Sequence, residues 1–122
     1  MHWKELEVWK LAHSMVLDAY KLSSSFPDTE KFRLTNQLCR AVVSVPANIV
    51  EGNTRQSTKE YIQFLFVARG SLEEARYFAF LAKDLGYLSK TEYDAFESKG
   101  QSVSRMLNAL MSSLNKKRGK ER

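Results

Sequence analysis

A chain of 122 residues is one domain by length and can bury roughly two-thirds of the surface it exposes when unfolded, so its core needs no disulfide or metal staple. Hydrophobic residues make up 43%, but with only 5 Gly and 2 Pro the punctuation that many short strands require is missing, which favours helices. The formal charge of +5 is unevenly placed: Lys116, Lys117, Arg118, Lys120 and Arg122, set against Glu121, leave residues 1–115 nearly neutral. The expected organisation is a bundle over 1–115 and a basic tail over 116–122.

In chain order, Val8, Ala12, Met15, Ala19 and Leu22 alternate spacings of four and three, with Trp9 and Val16 widening the stripe, as a helix buried along one face requires. Ser23-Ser24-Ser25-Phe26-Pro27-Asp28 breaks it. A second helix is predicted from Asp28 or Thr29, repeating Thr35, Leu38, Val42, Val45, Ile49 and Gly52. Pro46 falls inside this repeat, where it removes a backbone donor and predicts a kink and not a stop.

Ser57-x-x-Glu60 is a capping box, and it opens a third helix through Tyr61, Leu65, Ala68, Leu72, Ala75, Ala79 and Ala82, closed by Gly86. Ser89-x-x-Glu92 repeats the box and opens a fourth, with Tyr93, Phe96, Gly100, Val103, Leu107, Leu110 and Leu114. Short links force antiparallel neighbours, so the fold expected is all-α, an up-down-up-down four-helix bundle. Counting from the turn sets Leu72 level with Val103, Leu65 with Leu110 and Ala82 with Tyr93. The third helix also carries a second apolar face, Phe66, Gly70, Tyr77, Phe80 and Leu81, which a monomeric bundle cannot bury; a homo-oligomer with this face at the interface is expected.

The chain resembles the four-helix-bundle family encoded by intervening sequences in bacterial 23S rRNA genes. The resemblance rests on Glu5-Leu6-x-Val8-Trp9, Phe26-Pro27, Leu34-x-x-Gln37-Leu38-x-Arg40-Ala41, Ser44-Val45-Pro46-Ala47-Asn48-Ile49-Val50-Glu51-Gly52, Gly70-Ser71-Leu72-x-Glu74 and Leu85-Gly86-Tyr87-Leu88, which together span residues 5–88. It implies a bundle that assembles into a ring, a pentamer in the first instance, without catalytic activity. Related bundles are accessory proteins of retroelements, so it also implies nucleic acid or a reverse transcriptase as partner. The family name records where some genes lie and not membership of the ribosome.

Chemistry-bearing constellations are sparse. His2 and His13 are the only histidines, neither in a Glu-x-x-His pair nor beside other ligands at metal spacing, so no metal and no cofactor are expected. No nucleophile-base pair or phosphate-cradling glycine loop can be read, and no enzyme is expected. Cys39 stands alone in an apolar run and reads as a buried structural thiol. No apolar run approaches the ~20 residues that span a bilayer, and the start lacks a secretory layout; a cytoplasmic protein without membrane contact is expected.

Two features point to binding. Arg33 and Arg40, and Arg69 and Arg76, recur at heptad spacing and can track phosphates, although Glu73 lies within a turn of both Arg69 and Arg76 and can pair with them instead. The tail adds Lys116, Lys117, Arg118, Lys120 and Arg122, with no aromatic residue interleaved for base stacking. Pro46, Asn48, Glu51 and Arg55 read as an end-of-helix cluster, or as a ligand site, because Asn48 and Glu51 are three apart and Glu51 and Arg55 four apart. The expected function is nucleic-acid binding, structured RNA above DNA, through phosphates; a protein-interaction scaffold or an accessory subunit holding a protein partner is the alternative.

Overall fold

A computed structural model of the chain describes residues 1–120. Among them are four α-helices and no strand: α1 (Glu7–Ser23), α2 (Leu34–Asn53), α3 (Thr58–Asp84) and α4 (Lys90–Lys120). Two 3-10 turns, Trp3–Glu5 and Asp28–Glu30, precede α1 and α2. Each helix packs on its chain neighbours and α4 closes back on α1, while the backbones of the diagonal pairs α1/α3 and α2/α4 keep their Cα atoms more than 8 Å apart among the described residues. The result is an antiparallel four-helix bundle in which α2 and α3 share the most extensive seam.

The apolar stripes meet in one core. Val8, Ala12, Met15 and Ala19 of α1 join Leu38, Val42, Val45 and Ile49 of α2, Leu65, Leu72 and the alanines of α3, and Phe96, Val103 and Leu107 of α4. Near its end α4 departs from the predicted repeat: Met111 is buried, whereas Leu110 and Leu114 only flank the core. A strict seven-residue repeat drifts by ~20° per heptad on a straight helix, so after three heptads a neighbouring position takes over.

The predicted caps are present. Ser57 Oγ accepts from the Glu60 amide at 3.3 Å, and Ser89 and Glu92 exchange both bonds of the box at 2.9 and 3.0 Å. Gly86 takes φ +83°, and the Tyr87 amide donates to the Ala82 carbonyl at 2.8 Å, which ends α3 in a left-handed turn. Contacts between α3 and α4 agree with the predicted register, since Arg76 meets Glu97, Arg69 meets Asn108 and Phe80 meets Tyr93.

Two boundaries differ from expectation. α2 begins at Leu34 and not near Asp28, because the buried Glu30 carboxylate accepts from the Leu34 amide at 3.3 Å and from the Tyr87 hydroxyl at 2.9 Å. That bond satisfies an orphan amide of α2 and fixes the helix start. From Leu34, α2 then runs unbroken through the buried Pro46 to Asn53. The second difference is at the other end: residues 116–120 continue α4 and are not a separate tail. No proline interrupts them, and cations in a last turn complement the helix dipole. At 1.5 Å per residue α4 is about 46 Å long. Arg122, expected among the binding residues, lies outside the described residues.

Candidate nucleic-acid interface

The motif-bearing segments come together along the α2–α3 seam, where their polar groups are used within the chain. Ser44 and Ser71 share a hydrogen bond of 2.8 Å across the seam, and the Asn48 side-chain amide donates to the Ser44 carbonyl at 2.7 Å and to its hydroxyl at 2.9 Å. One turn on, Gly52 lets the helices close: a Cβ there would lie 2.9 Å from the Phe64 Cβ and 2.9 Å from the Tyr61 ring. Arg55 pairs with Glu51 at 3.2 Å and lies over the Phe64 ring. The expected cluster therefore splits. Glu51 and Arg55 pair, whereas Asn48 turns back towards Ser44 because the serine offers two acceptors one turn away.

Nor do the four arginines form one stripe. Arg76 is bound on both sides: its Nε and Nη2 donate to the two Glu97 oxygens at 2.9 and 2.7 Å, and its Nη1 to Glu73 at 2.8 Å. The hydrogen bond with Glu97 holds the guanidinium above its ordinary pKa and, reciprocally, the Glu97 carboxyl below its own, in each case against the opposing effect of burial. A guanidinium neutralised by two carboxylates, with three of its five N–H groups donated to them, serves as a structural tie. Arg40 lies on the other side of α3, in a groove with Asn36, Gln37, Ser44, Ser71, Glu74 and Phe78. Arg33 stands at the α2 start, its side chain 74% exposed and 4.0 Å from Glu30. Heptad spacing within each helix said nothing about which neighbour each helix would turn that face towards.

What the structure does bring together is Arg69 and the end of α4. Arg69 donates to the Asn108 side chain at 3.1 Å and stacks on the Phe66 ring. With Phe66, Asn108, Met111, Ser112, Asn115 and Lys116 it lines an open hollow of about 470 Å³ between α3 and α4, and among the described residues no carboxylate lines it. From Ser98 to Lys120 the sequence carries no Asp or Glu. Lys116, Lys117, Arg118 and Lys120 accordingly have no carboxylate partner among the described residues, and Lys117 reaches a second hollow with Arg55, Ser57 and Met1. The signal missed in the sequence was this acid-free run, which joins Arg69 to the basic end once α4 lies beside α3.

The outward face of α3 is exposed as expected at Phe66 (49%), Tyr77 (58%) and Phe80 (43%), and a Cβ at Gly70 would meet nothing within 4 Å. Leu81 is the exception: it is half-buried against the core of its own chain. Elsewhere, Cys39 is half-buried with its Sγ 3.5 Å from the Ser23 hydroxyl. Among the described residues no cluster of His, Cys, Asp or Glu can hold a metal ion, and no helix is long and apolar enough to cross a membrane.

Comparison with known proteins gives a family and a fold. The family model of the 23S rRNA-intervening sequence protein matches residues 4–109. A crystal structure of a protein of unknown function from the S23 ribosomal protein family of Bacteroides thetaiotaomicron VPI-5482 is 20% identical and superposes with a TM-score of 0.77, covering 85% of this chain and 97% of that one. No curated protein matches the chain.

Proposed function

The chain belongs to the 23S rRNA-intervening sequence protein family, and on that premise we propose that it is a non-enzymatic bundle that binds structured RNA through phosphates laid along the α3–α4 hollow and the last turns of α4. The observation that carries this reading is the acid-free hollow of Arg69, Asn108, Ser112, Asn115 and Lys116, continued by Lys117, Arg118 and Lys120. Arginine offers a fork, lysine a point charge, and the amides and hydroxyl neutral donors, which is the mixture that phosphate oxygens accept. Each phosphate neutralised releases a counterion, so affinity falls with salt. Arg33, Arg40 and Arg76 have no part in it.

A second copy on the outward face of α3 is also part of the proposal, since Phe66, Tyr77 and Phe80 leave a broad aromatic surface uncovered. A ring, with the pentamer implied by the resemblance, would multiply the basic ends on one rim. The same aromatic face supports the second reading, a scaffold that holds a protein partner, in which the charge is incidental.

Fluorescence anisotropy of a labelled structured RNA, beside a chain ending at Asn115 and an Arg69→Glu variant, tests the first reading. The expected result is micromolar or tighter binding that weakens by about tenfold or more between ~50 and ~200 mM salt, with affinity and salt slope both reduced in the two variants. Absence of binding at low salt overturns it, and recovery of a protein partner after nuclease treatment then favours the scaffold.

A further inference from the structure

We propose that the hollow between the N-terminal segment, the α2–α3 link and the end of α4 binds a small amphipathic carboxylate, its apolar tail against Leu6, Tyr61, Leu110 and Leu114 and its charge at the rim beside Lys117. This goes beyond the nucleic-acid reading and shares only Lys117 with it.

The hollow exists because the helices end at different heights. Lys99 of α4 meets Ser14 and Asp18 of α1, each at 2.6 Å. Counting on at equal rise, α4 passes Glu7, the first residue of α1, about seven to eleven residues later, at 106–110. Beyond that point only Leu6 and the N-terminal turn remain to stand beside it. At the same end α2 stops at Asn53 and α3 begins at Thr58. Leu110 and Leu114, although they belong to the apolar repeat of α4, therefore flank the core without being sealed into it, as does Tyr61 in the first turn of α3. With Leu6 they line a hollow of about 320 Å³. A hollow of that size is at the small end of ligand sites, which pair an apolar lining with a few placed polar groups.

The rim supplies the polar groups. Asn53 Nδ2 donates to the Met1 carbonyl at 3.1 Å and to the Tyr61 hydroxyl at 3.2 Å, tying three walls of the hollow together. The Tyr61 hydroxyl accepts that bond, and its own proton has no acceptor among the described residues. Burial pushes the Tyr61 pKa up against the opposing effect of the Asn53 bond, so at neutral pH the group is a hydroxyl donor and not a phenolate. Two cations stand at the rim. Arg55 pairs with Glu51 at 3.2 Å, whereas Lys117 has no carboxylate partner, and none lines the hollow, among the described residues. One uncompensated cation and one hydroxyl donor suit a single carboxylate. The leucines and the tyrosine ring suit a tail whose transfer out of water supplies the remaining affinity. A neutral apolar guest leaves Lys117 uncompensated, and an inorganic anion leaves the leucines in water.

Isothermal titration calorimetry on the full chain compares octanoate with octan-1-ol, which has the tail alone, and acetate, which has the charge alone. The expected result is one octanoate per chain with a Kd of about 1 mM or tighter, weaker binding of octan-1-ol and none of acetate. Tyr61→Phe, which removes the hydroxyl and keeps the ring, weakens octanoate binding by about threefold to tenfold. Lys117→Gln, at an exposed position, weakens it by about threefold. Leu114→Trp fills the hollow and abolishes binding with helical circular dichroism intact. Lack of saturable octanoate binding overturns the proposal, as does equal affinity for octan-1-ol with Lys117→Gln unaltered. Octanoate binding that survives in Leu114→Trp places the ligand elsewhere and overturns it as well. Uridine monophosphate that binds more tightly than octanoate assigns the hollow to a nucleotide, with the same consequence. RNA binding at the wild-type level in Tyr61→Phe and Leu114→Trp is expected, which keeps this test apart from that of the phosphate reading.

Discussion

Replacing Gly52 by Ala tests the close approach of α2 and α3 most directly. An added Cβ would sit 2.9 Å from the Phe64 Cβ, 2.9 Å from Tyr61 Cδ1 and 3.1 Å from the Tyr61 carbonyl oxygen. Two of those three atoms are tied to the α3 backbone, so rotamer changes cannot relieve the clash and the helices must separate at their tightest seam. Overpacking of this kind costs about 1–3 kcal/mol. Alanine in a helix recovers about 1 kcal/mol relative to glycine, which leaves a net loss of up to about 2 kcal/mol. For 122 residues at ~2.1 cal/mol/K each, the unfolding entropy is about 0.26 kcal/mol/K, and Tm should fall by up to about 8 °C. Gly70→Ala is the internal control. Its Cβ meets nothing within the protomer, so only the propensity gain applies and Tm should rise by about 2–4 °C. Differential scanning calorimetry of both variants at matched dilution makes the comparison. A rise in Gly52→Ala that matches the one in Gly70→Ala would refute the argument that this glycine is there to let the helices touch.

Other expected outcomes follow from the same geometry. Glu97→Gln leaves half-buried Arg76 with Glu73 alone and should lower stability at pH 7 by about 1–3 kcal/mol in urea unfolding. Because the folded Glu97 carboxyl lies below its ordinary value of 4.5, its contribution is present above that value and is lost as pH falls through the lower, folded one; the gap between wild type and Glu97→Gln should close by acid pH. Ser71→Ala removes the 2.8 Å bond across the α2–α3 seam but leaves Ser44 bonded to Asn48, so a loss of about 1 kcal/mol is expected by chemical denaturation. If a second copy covers the outward face of α3, Tyr77→Glu, at a position 58% exposed in the protomer, should reduce the mass seen by sedimentation to that of a monomer while helical circular dichroism is unchanged; wild type that sediments as a monomer at micromolar concentration sinks the interface itself.

The fold was legible because it is written in local signals. Both capping boxes, the C-terminal Gly86 and the three-four apolar alternation each concern residues within a turn of one another, and local consistency of that kind specifies a bundle. Boundaries that depended on distant partners were not. α2 starts at Leu34 because Glu30 is held by Tyr87, 57 residues away, and no local reading of Asp28-Thr29-Glu30 contains that tyrosine. The arginines failed for the same reason. Heptad spacing correctly placed Arg69 and Arg76 on one side of α3, but whether that side met carboxylates or open solvent depended on α4, where Glu97 stands opposite Arg76 and Asn108 opposite Arg69. A single exchange of acid for amide along α4 separates a guanidinium neutralised by its partner from one whose charge is left uncompensated.

That contrast bears on where function can reside. The motif residues Ser44, Asn48, Gly52 and Ser71 spend their chemistry on the α2–α3 seam, Glu30 and Tyr87 on the start of α2, and Gly86 on the end of α3. A polar group satisfied inside its own chain has little left with which to hold a ligand. The cations that share a surface without carboxylates lie towards the end opposite the Glu30–Tyr87 contact, in Arg69 and the acid-free stretch of α4. Motif and proposed phosphate-binding surface therefore separate in this bundle: the segments that carry the family resemblance build the scaffold, and the proposed phosphate contacts sit on residues that carry no motif. A relative that kept the scaffold but placed carboxylates along the end of α4 would share this fold and lose the proposed activity.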